Sequence, residues 1–346
     1  MRAAIFMGPG VMEVREVATP KPKSGEVLVK VKSCAVCGTD VRIFTHGQKN
    51  VVPPITTGHE IAGVIEEIGK DVKGNFKKGD KVTMVTCVGC QKCRYCKKGI
   101  YNLCDDPKYI GYYYPGGFAE YVIIPEEAVK GNNIVKIDAD ISFPEISVIE
   151  PLTCCINGQE FLHIEKGDNV VIFGSGPIGV LHAELAKASG ADKVIMADIS
   201  QERLDMAKNF SITHFINSKT ENPLEKVMSL TGGCGADVII VACGVLSVFE
   251  QALQMINKRG RISYFASLPK DNPVIKFDAN VLHYKEVSVH GAFASNRSHF
   301  DKAVELISSK KINVKKVVTH TFPLEKIVDA MNMSKSGVGL KSVILM

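Results

Sequence analysis

Three residues that lie far apart in the sequence have the side-chain types that bind zinc. Cys37 opens the segment CGTD, His59 is followed directly by Glu60, and Glu150 opens the segment EPL. A thiolate, an imidazole and a carboxylate can occupy three corners of a zinc tetrahedron and leave the fourth open for water or substrate. The pattern therefore predicts a catalytic metal site formed by Cys37, His59 and Glu150.

A second group of cysteines has the short intervals of a closed metal site. Cys90, Cys93 and Cys96 recur at one spacing, and Cys104 follows. Four thiolates complete the tetrahedron of a zinc ion and leave no position for substrate, so this group predicts a structural zinc. Cys87 has the same spacing to Cys90 and could compete for a place in the group.

Residues 169–198 have the order of elements that binds a dinucleotide. An apolar stretch at 169–173 precedes the turn GSGPIG, and an apolar stripe with helical spacing follows and ends before Gly190. The turn's glycines permit the tight bend, the approach of a pyrophosphate and the close packing of helix on strand, while the helix amino terminus faces the phosphates. The predicted cofactor-binding residues of this turn are Gly174, Gly176, Pro177, Ile178 and Gly179.

Asp198 follows the next predicted strand, at 193–197, and indicates which dinucleotide binds. A carboxylate about 20 residues after the glycine turn can accept hydrogen bonds from the adenosine ribose hydroxyls. Because its negative charge would repel the additional phosphate of NADP, the predicted cofactor is NAD. Arg203 opposes this interpretation, since its guanidinium could reach a phosphate.

Two patterns of secondary structure position these groups. The later part alternates apolar strands with helical stretches, which predicts a doubly wound parallel sheet; the strands are 213–216, 237–242, 261–265 and 287–289, and the helices include 224–230 and 247–256. Earlier strands at 26–32, 61–68 and 118–124, interrupted by glycine and proline, predict an antiparallel, partly closed β domain. The fold class is α/β.

Composition excludes several classes of protein. The chain has 346 residues, 45% of them hydrophobic, which suffices for two domain cores, and no apolar run has the roughly 18 residues of a membrane span. The net charge of +5 comes from scattered Lys and Arg and does not indicate nucleic acid. The amino terminus lacks the features of a secretory signal, so a cytoplasmic location is expected, where clustered cysteines bind metal more often than they form disulfides.

From Gly58 and His59 through Gly63 and Gly69 to Val72, the sequence fits a known zinc pattern. The chain resembles the zinc-dependent medium-chain dehydrogenases, the zinc-containing alcohol dehydrogenases, over essentially its whole length, and within them the sorbitol (polyol) and L-threonine dehydrogenase branch. The resemblance implies a GroES-like catalytic domain at 1–152 with 292–346, a Rossmann domain at 153–291, and an active site in the cleft between them. It also implies a homo-oligomer, with a tetramer favoured over a dimer.

The resemblance also assigns roles around both sites. It favours the last four cysteines over Cys87 for the structural zinc. Glu60 can approach the catalytic zinc itself or exchange with water, and Glu150 reaches it directly or through water, so the third ligand stays open between them. NAD-using polyol enzymes of the family carry an arginine at the position of Arg203 too. The residues implied near the nicotinamide are Phe265, Ala266, Ser267, Ala292, Phe293 and Ala294.

Zinc beside a nicotinamide predicts oxidation of an alcohol to a ketone or aldehyde, because a Lewis acid favours the alkoxide from which hydride leaves. Thr39 could carry the first proton, and Asp40 is suited to a hydrogen bond with a metal-bound His59. Many relatives continue the proton relay through a histidine where this chain has Arg42. Since arginine cannot carry a proton near neutral pH, water, Glu60 or Glu150 could take over the later steps, or Arg42 could bind an anionic substrate group such as a phosphate or carboxylate.

The predicted substrate is a secondary alcohol, above all a polyol, with L-threonine, a polyol phosphate or butanediol as alternatives. Sorbitol dehydrogenases have a tyrosine at the position of Ile43 and an Arg-Tyr pair at Ala294-Ser295, so those contacts are missing here. Two alternatives outside the dehydrogenases are a nucleotide-binding protein without catalytic activity and a protein that binds nucleic acid through its cysteine-rich zinc lobe. The complete ligand set argues against the first, and one small lobe does not explain Cys37, His59 and Glu150.

Overall fold

The computed structural model describes residues 1–346, and its contacts divide the chain into two compact units. Unit 1 consists of Met1–Thr153, Ala294–Lys310 and Val314–Met346, and unit 2 consists of Cys154–Phe293 with Lys311–Asn313. The predicted domains, 1–152 with 292–346 and 153–291, are defined partly by the zinc ions and the NAD that they would bind. This division does not test that binding, so the domains stay a prediction.

Unit 1 is built mainly from short strands in its first part. Its elements in this part are β1 (Arg2–Gly8), β2 (Val11–Glu16), β3 (Val27–Ala35), α1 (Gly38–His46), β4 (Ile55–Thr56), β5 (Glu60–Ile68), β6 (Lys81–Met84), β7 (Cys87–Val88), β8 (Lys108–Tyr109), β9 (Tyr121–Ile124), α2 (Glu126–Lys130), β10 (Ile134–Lys136), α3 (Phe143–Ser147) and α4 (Ile149–Gln159). The first segment of unit 1 ends at Thr153, within α4.

Strands and helices then alternate through unit 2, as β11 (Asn169–Phe173), α5 (Pro177–Ala188), β12 (Lys193–Asp198), α6 (Gln201–Ala207), β13 (His214–Asn217), α7 (Pro223–Leu230), β14 (Ala236–Val241), α8 (Leu246–Ala252), β15 (Ile256–Tyr264), α9 (Ala279–Lys285) and β16 (Ser288–Gly291). The chain then returns to unit 1 with α10 (Arg297–Ser308), β17 (Val318–Pro323), α11 (Ile327–Ser336) and β18 (Lys341–Leu345).

The largest sheet of unit 1 joins the two ends of the sequence. Its strand order is β10-β6-β5-β3-β18-β17, and β9 also pairs with β3. All of these pairs are antiparallel except β17 with β18. Because β18 pairs with β3 with Val343 opposite Ala35, and β3 pairs with β5 with Ala35 opposite Glu60, the last strand comes close to the start of β5.

The sheet of unit 2 is entirely parallel, with the order β13-β12-β11-β14-β15-β16. This order reverses between β11 and β14, which is the arrangement of dinucleotide-binding sheets, whose ligands bind at the carboxyl ends of the strands where the order reverses. The predicted doubly wound parallel sheet is confirmed. The glycine turn at 174–179 follows β11 and therefore lies at this reversal.

One predicted helix extends too far. The stretch 247–256 was expected to be helical, but α8 ends at Ala252 and Ile256 already begins β15. Ile256 pairs with Ala236 of β14, and both are buried, so pairing with the neighbouring strand determines the conformation of an apolar segment that fits either structure. No helix of the chain is both long enough and apolar enough to span a membrane.

Candidate active site and metal centres

Cys37 is fixed by the beginning of α1. It is the N-cap residue, with extended backbone angles, and its backbone N–H donates a hydrogen bond of 2.9 Å to Oδ2 of Asp40. A carboxylate in the first turn also suits the positive end of the helix dipole. Asp40 is buried, so this capping bond holds the backbone of Cys37 in place. Thr39 lies between them in the first turn and is half-buried.

His59 lies just before β5, and its Nδ1 atom faces two oxygen atoms. Oδ1 of Asp40 and the hydroxyl of Tyr112 each lie 3.3 Å from Nδ1. Burial alone would lower the pKa of His59, but the neighbouring Tyr112 and Asp40 side chains raise it well above its ordinary value. Because Nδ1 faces these partners, Nε2 is the nitrogen that could bind a metal.

Glu60 is completely buried and has one carboxylate oxygen without a hydrogen bond. Its Oε1 accepts a hydrogen bond of 2.7 Å from Nζ of Lys341, whereas its Oε2 has no hydrogen-bond partner. Lys341, at the start of β18, also donates to the carbonyl of Val36 at 3.3 Å. Burial alone would lower the pKa of Lys341, but Glu60 and Cys37 raise it, so its ammonium stays charged. A buried carboxylate oxygen without a donor is suited to a cation.

The structure brings Cys37, His59 and Glu60 together. Their candidate ligand atoms all lie within 4.8 Å of one another, and a thiolate, an imidazole and a carboxylate are a donor set that zinc prefers. Glu150 is not part of this group, although it is close enough for its charge to raise the pKa of Tyr112 and of Lys341. Glu150 as a direct ligand stays a prediction.

The four later cysteines also converge. The sulfur atoms of Cys90, Cys93, Cys96 and Cys104 lie within 4.8 Å of one another. Backbone N–H groups point at them: Cys90 N–H donates to Sγ of Cys104 at 3.2 Å, and Cys96 N–H donates to Sγ of Cys93 at 3.4 Å. Backbone N–H groups, first that of Asp105, lower the pKa of Cys93 to about 6, which favours the thiolate that binds metal.

Cys87 lies outside this group. Its thiol donates a hydrogen bond of 3.1 Å to the carbonyl of Tyr101, and burial raises its pKa to about 12. The Cys87 sulfur is not among the four that converge within 4.8 Å. The donor set and its geometry therefore fit a zinc ion held by the other four cysteines.

The glycine turn of unit 2 has the spaces that a dinucleotide requires. Gly174 has a φ of +103°, and a Cβ on Gly179 would lie 1.8 Å from the carbonyl oxygen of Gly174, so neither position tolerates a side chain. A Cβ on Gly176, the N-cap of α5, would meet nothing within 4 Å. The first and last glycines are thus needed for the turn itself, whereas Gly176 faces open space. Pro177 and Ile178 begin α5.

Asp198 is anchored to this turn by its side chain. Its Oδ2 accepts from the N–H of Ser175 at 2.7 Å and from the Ser175 hydroxyl at 2.8 Å, and its Oδ1 accepts from the N–H of Ser200 at 2.9 Å. The Ser200 hydroxyl caps α6 by accepting a hydrogen bond of 3.3 Å from the backbone N–H of Arg203, which lies in that helix. Asp198 therefore lies beside the glycine turn that leads into α5, as a ribose-binding carboxylate should.

The remaining predicted cofactor residues follow the last two strands of unit 2 or begin the return to unit 1. Phe265, Ala266 and Ser267 follow β15, and the Phe265 ring packs edge-on against His182 with 4.6 Å between ring centroids. Ala292 and Phe293 follow β16, and Phe293 is 60% exposed. Ala294 adopts a left-handed φ of +50°, which is strained for a residue with a side chain.

Two residues of the candidate site were missed by sequence reasoning. Tyr112 and Lys341 belong to no motif, and each reaches its partner from a distant part of the sequence. A lysine at the start of the apolar strand KSVIL is a weak signal of a buried cation that needs a partner. Nothing in the spacing around Tyr112 indicates its role.

Known families match both parts of the chain. The model of the alcohol dehydrogenase GroES-like domain matches residues 23–133, and that of the zinc-binding dehydrogenases matches residues 177–309. The chain therefore belongs to the zinc-dependent medium-chain dehydrogenases and is an oxidoreductase, as the resemblance predicted. The predicted combination of a GroES-like and a Rossmann-type fold is confirmed too.

Individual relatives cover almost the whole chain. The sorbitol dehydrogenase of Halalkalibacterium halodurans is 35% identical over 337 residues, which are 96% of this chain and 95% of that protein. The L-threonine 3-dehydrogenase of Pyrococcus furiosus is 33% identical over 339 residues, again 96% of this chain and 95% of that protein. A zinc-binding dehydrogenase from Sinorhizobium meliloti 1021, solved with bound NADP, has a TM-score of 0.92 at 27% identity and covers 100% of this chain and 99% of its own.

Proposed function

We propose that this protein oxidises a secondary alcohol, above all a polyol, to the ketone and transfers the hydride to NAD. The observation that carries the proposal is the convergence of Cys37, His59 and Glu60 within 4.8 Å, with a buried Glu60 oxygen that has no hydrogen-bond partner. The 35% identity to a sorbitol dehydrogenase over 96% of this chain supports a polyol as the substrate.

The chain's own residues divide the work of the site. Cys37, His59 and Glu60 would hold a zinc ion, which, when bound, supplies a Lewis acid that makes an alcohol proton easier to lose. Asp40 fixes the backbone of Cys37 and faces His59, and Glu150, whose charge raises the pKa of Lys341, would be the alternative carboxylate ligand. The Thr39 hydroxyl, two residues after Cys37, would accept the alcohol proton while it passes its own proton on to water or to a carboxylate, Glu60 or Glu150.

Two metal ions and NAD complete the proposed active subunit. A second zinc would be held by Cys90, Cys93, Cys96 and Cys104 as a structural ion, since four thiolates leave no open position. Asp198 supports NAD because its negative charge would oppose the additional phosphate of NADP. The NADP bound by the Sinorhizobium meliloti relative is the reason to test both cofactors.

The substrate contacts differ from those implied by the sorbitol dehydrogenases. Ile43, where they have a tyrosine, is buried in an apolar cluster with Phe6 and Val51. Ser295, in place of the tyrosine of their Arg-Tyr pair, is 5% exposed and shares a hydrogen bond of 2.6 Å with Thr153. Neither side chain is available to bind a sugar hydroxyl, so the proposed polyol is one other than sorbitol, or a smaller diol such as butanediol.

An anionic substrate is the second candidate, and Arg42 favours it. Its guanidinium is exposed and has a hydrogen bond of 3.3 Å from Nη2 to the Gln48 side chain, which leaves most of its donors available. A polyol phosphate or the carboxylate of L-threonine could pair with it. The 33% identity to an L-threonine 3-dehydrogenase supports the second of these.

The proposed assembly is a homotetramer in the cytoplasm. The outer strand of the unit 2 sheet, β16, leaves one edge unpaired, and apolar side chains are exposed on it and on the segment before it, among them Val274, Tyr284 and Val289. An exposed strand edge with apolar neighbours is suited to pairing with a second copy. Light scattering would distinguish the monomer, dimer and tetramer.

The decisive experiment is the rate of NAD and NADP reduction by zinc-loaded protein with polyols, polyol phosphates, butanediol and L-threonine. Cys37→Ala should abolish the activity, whereas Cys234→Ala, which removes an exposed thiol from unit 2, should leave it unchanged. If none of these alcohols is oxidised although zinc and dinucleotide bind, the substrate lies outside these classes and the proposed substrate is wrong.

A further inference from the structure

Tyr112 is held against His59 by its own loop. Gly111, with a φ of +89°, is so close to the backbone before His59 that a Cβ on it would lie 2.8 Å from the Gly58 carbonyl oxygen. Gly117 donates a backbone hydrogen bond of 2.8 Å to that same carbonyl. The 111–117 loop and the backbone before His59 are therefore in direct contact, and neither can move without the other.

The ring of Tyr112 is also restrained. It packs on the apolar cluster that contains Phe6, Ile43 and Val51, and its centroid lies 5.2 Å from the centroid of the His59 ring, with the planes tilted by 59°. A phenol held on both sides by apolar and aromatic contacts has few alternative rotamers. Its hydroxyl is thereby directed to Nδ1 of His59, 3.3 Å away.

The chemistry of a metal-binding imidazole explains why this contact matters. When Nε2 of a histidine binds a metal, Nδ1 carries the proton and donates it to a nearby acceptor, which orients the ring. Here two acceptors lie 3.3 Å from Nδ1, Oδ1 of Asp40 and the Tyr112 hydroxyl. Asp40 is already committed through Oδ2 to Cys37, and its buried Oδ1 has no hydrogen bond of good geometry.

We propose that Tyr112 is a positioning residue of the catalytic metal site: its phenol oxygen and the Asp40 carboxylate together orient the His59 ring so that Nε2 faces the metal. The hydroxyl shares the Nδ1 proton with Asp40, since both oxygen atoms lie 3.3 Å from that nitrogen. This inference rests on the proposed zinc site and adds a residue that acts through His59 rather than on the substrate.

The test removes the hydroxyl and keeps the ring. Tyr112→Phe should weaken zinc binding at the Cys37 site by about tenfold, the low end of the effect of losing a hydrogen-bond partner of a ligating histidine. Chelator competition measures the zinc dissociation constant without turnover, and the visible spectrum of the cobalt-substituted protein reports ligand geometry. Tyr113→Phe is the matched control, since Tyr113 is the next residue and is 58% exposed.

The outcomes are separable. A dissociation constant within twofold of the parent, with an unchanged cobalt spectrum, would reduce Tyr112 to a packing residue and overturn the inference. Asp40→Asn combined with Tyr112→Phe should cost more than the sum of the single changes, because either oxygen can accept the shared proton when the other is lost. A parent protein that binds zinc only at the four later cysteines would refute the proposed catalytic site itself, and this inference with it.

Discussion

At the scale of single residues, Asp198 shows how one carboxylate can serve the backbone and a ligand. It accepts three hydrogen bonds, two from Ser175 and one from Ser200. Replacing it by alanine would release the glycine turn, so Asp198→Asn is the cleaner change because it retains an acceptor oxygen while removing the charge. We expect NAD to become a poorer cofactor relative to NADP, since the repulsion of the additional phosphate is lost.

The ratio of kcat/KM for NADP to that for NAD measures this effect, and we expect it to rise about tenfold, the equivalent of about 1.4 kcal/mol. Asp205→Asn, which neutralises an exposed carboxylate on α6, is the matched control. A ratio equal to that of the parent would contradict the role of Asp198 in selecting the cofactor.

Arg42 is the residue that could distinguish classes of substrate. If its guanidinium binds an anionic group, Arg42→Ala should raise KM for a polyol phosphate or L-threonine and leave KM for a neutral diol unchanged, because only the charged substrates lose a partner. Steady-state kinetics on one substrate of each class measure this, with Lys49→Ala, a nearby exposed cation, as the control. Equal increases in KM for charged and neutral substrates would show that Arg42 does not recognise an anionic substrate group.

Residue types alone predicted part of the candidate site. Cys37 and His59 were singled out, together with Glu150, because their side chains bind metal, whereas Glu60 was indicated only by the family resemblance. The structure brings Cys37, His59 and Glu60 together, and Glu150 as a direct ligand stays a prediction. Lys341 was not singled out, because its partner Glu60 lies far away in the sequence and only the pairing of β18 with β3 brings them close. Tyr112 was missed for the same reason, since its contact with His59 depends on how the 111–117 loop packs.

At the scale of elements, the ion pair of Glu60 and Lys341 joins the starts of β5 and β18. Both side chains are at most 5% exposed, so in the zinc-free protein removing one charge leaves the other buried without compensation. Lys341→Met should therefore lower the free energy of unfolding by about 3 kcal/mol. Urea denaturation followed by circular dichroism measures it, with Lys335→Met on the exposed side of α11 as the control. A loss no larger than that of the control would show that the pair does not stabilise this sheet.

The segment that contains Cys90, Cys93, Cys96 and Cys104 is the second element for which we expect a clear effect of substitution. Cys96→Ser should lose one zinc ion per chain and lower the melting temperature, because a closed four-thiolate site contributes its binding energy to folding. Cys87→Ser should keep the zinc content, since the Cys87 thiol is hydrogen-bonded to the Tyr101 carbonyl and lies outside the group. Zinc analysis of the two purified variants decides it. Equal losses would mean that Cys87 also binds the metal.

Elements were predicted most accurately where the pattern allowed a single interpretation. Residues 169–173 were expected to be a strand and form β11 over the same residues, because a β-branched run that ends at a glycine turn has no helical alternative. At 247–256, the spacing of the apolar residues fits either a helix or a strand. Pairing with β14 places Ile256 in β15. Local pattern cannot predict that choice, since the partner strand is distant in sequence.

At the scale of the whole molecule, the sequence order and the order in space differ. β18, from the last residues of the sequence, lies between β3 and β17 in the unit 1 sheet, which therefore cannot be completed before the end of the chain is available. Periodicity does not indicate such a return; the expectation came from the family resemblance alone. Unit 2 has its own apolar core, so the two units need not unfold together.

His182 should make the stability of unit 2 sensitive to acid. It is completely buried in α5, Nε2 of Gln159 donates a hydrogen bond of 2.9 Å to its carbonyl, and burial lowers its pKa to about 3. Below pH 6.5 the unfolded chain binds a proton at this side chain that the folded unit does not, so the stability present above pH 6.5 is lost as the pH falls toward 3. The slope is at most about 1.4 kcal/mol per pH unit.

Hydrogen exchange of the β11 and α5 amides between pH 6 and pH 4 measures this loss within unit 2, separately from any loss of zinc in unit 1. His182→Leu should flatten the dependence on pH even if it lowers stability at pH 7, because no proton is then bound in either state. His283→Gln, an exposed histidine on α9, should keep the parent slope. If His182→Leu also kept that slope, other groups would cause the acid sensitivity, and the burial of a neutral His182 would have no thermodynamic consequence.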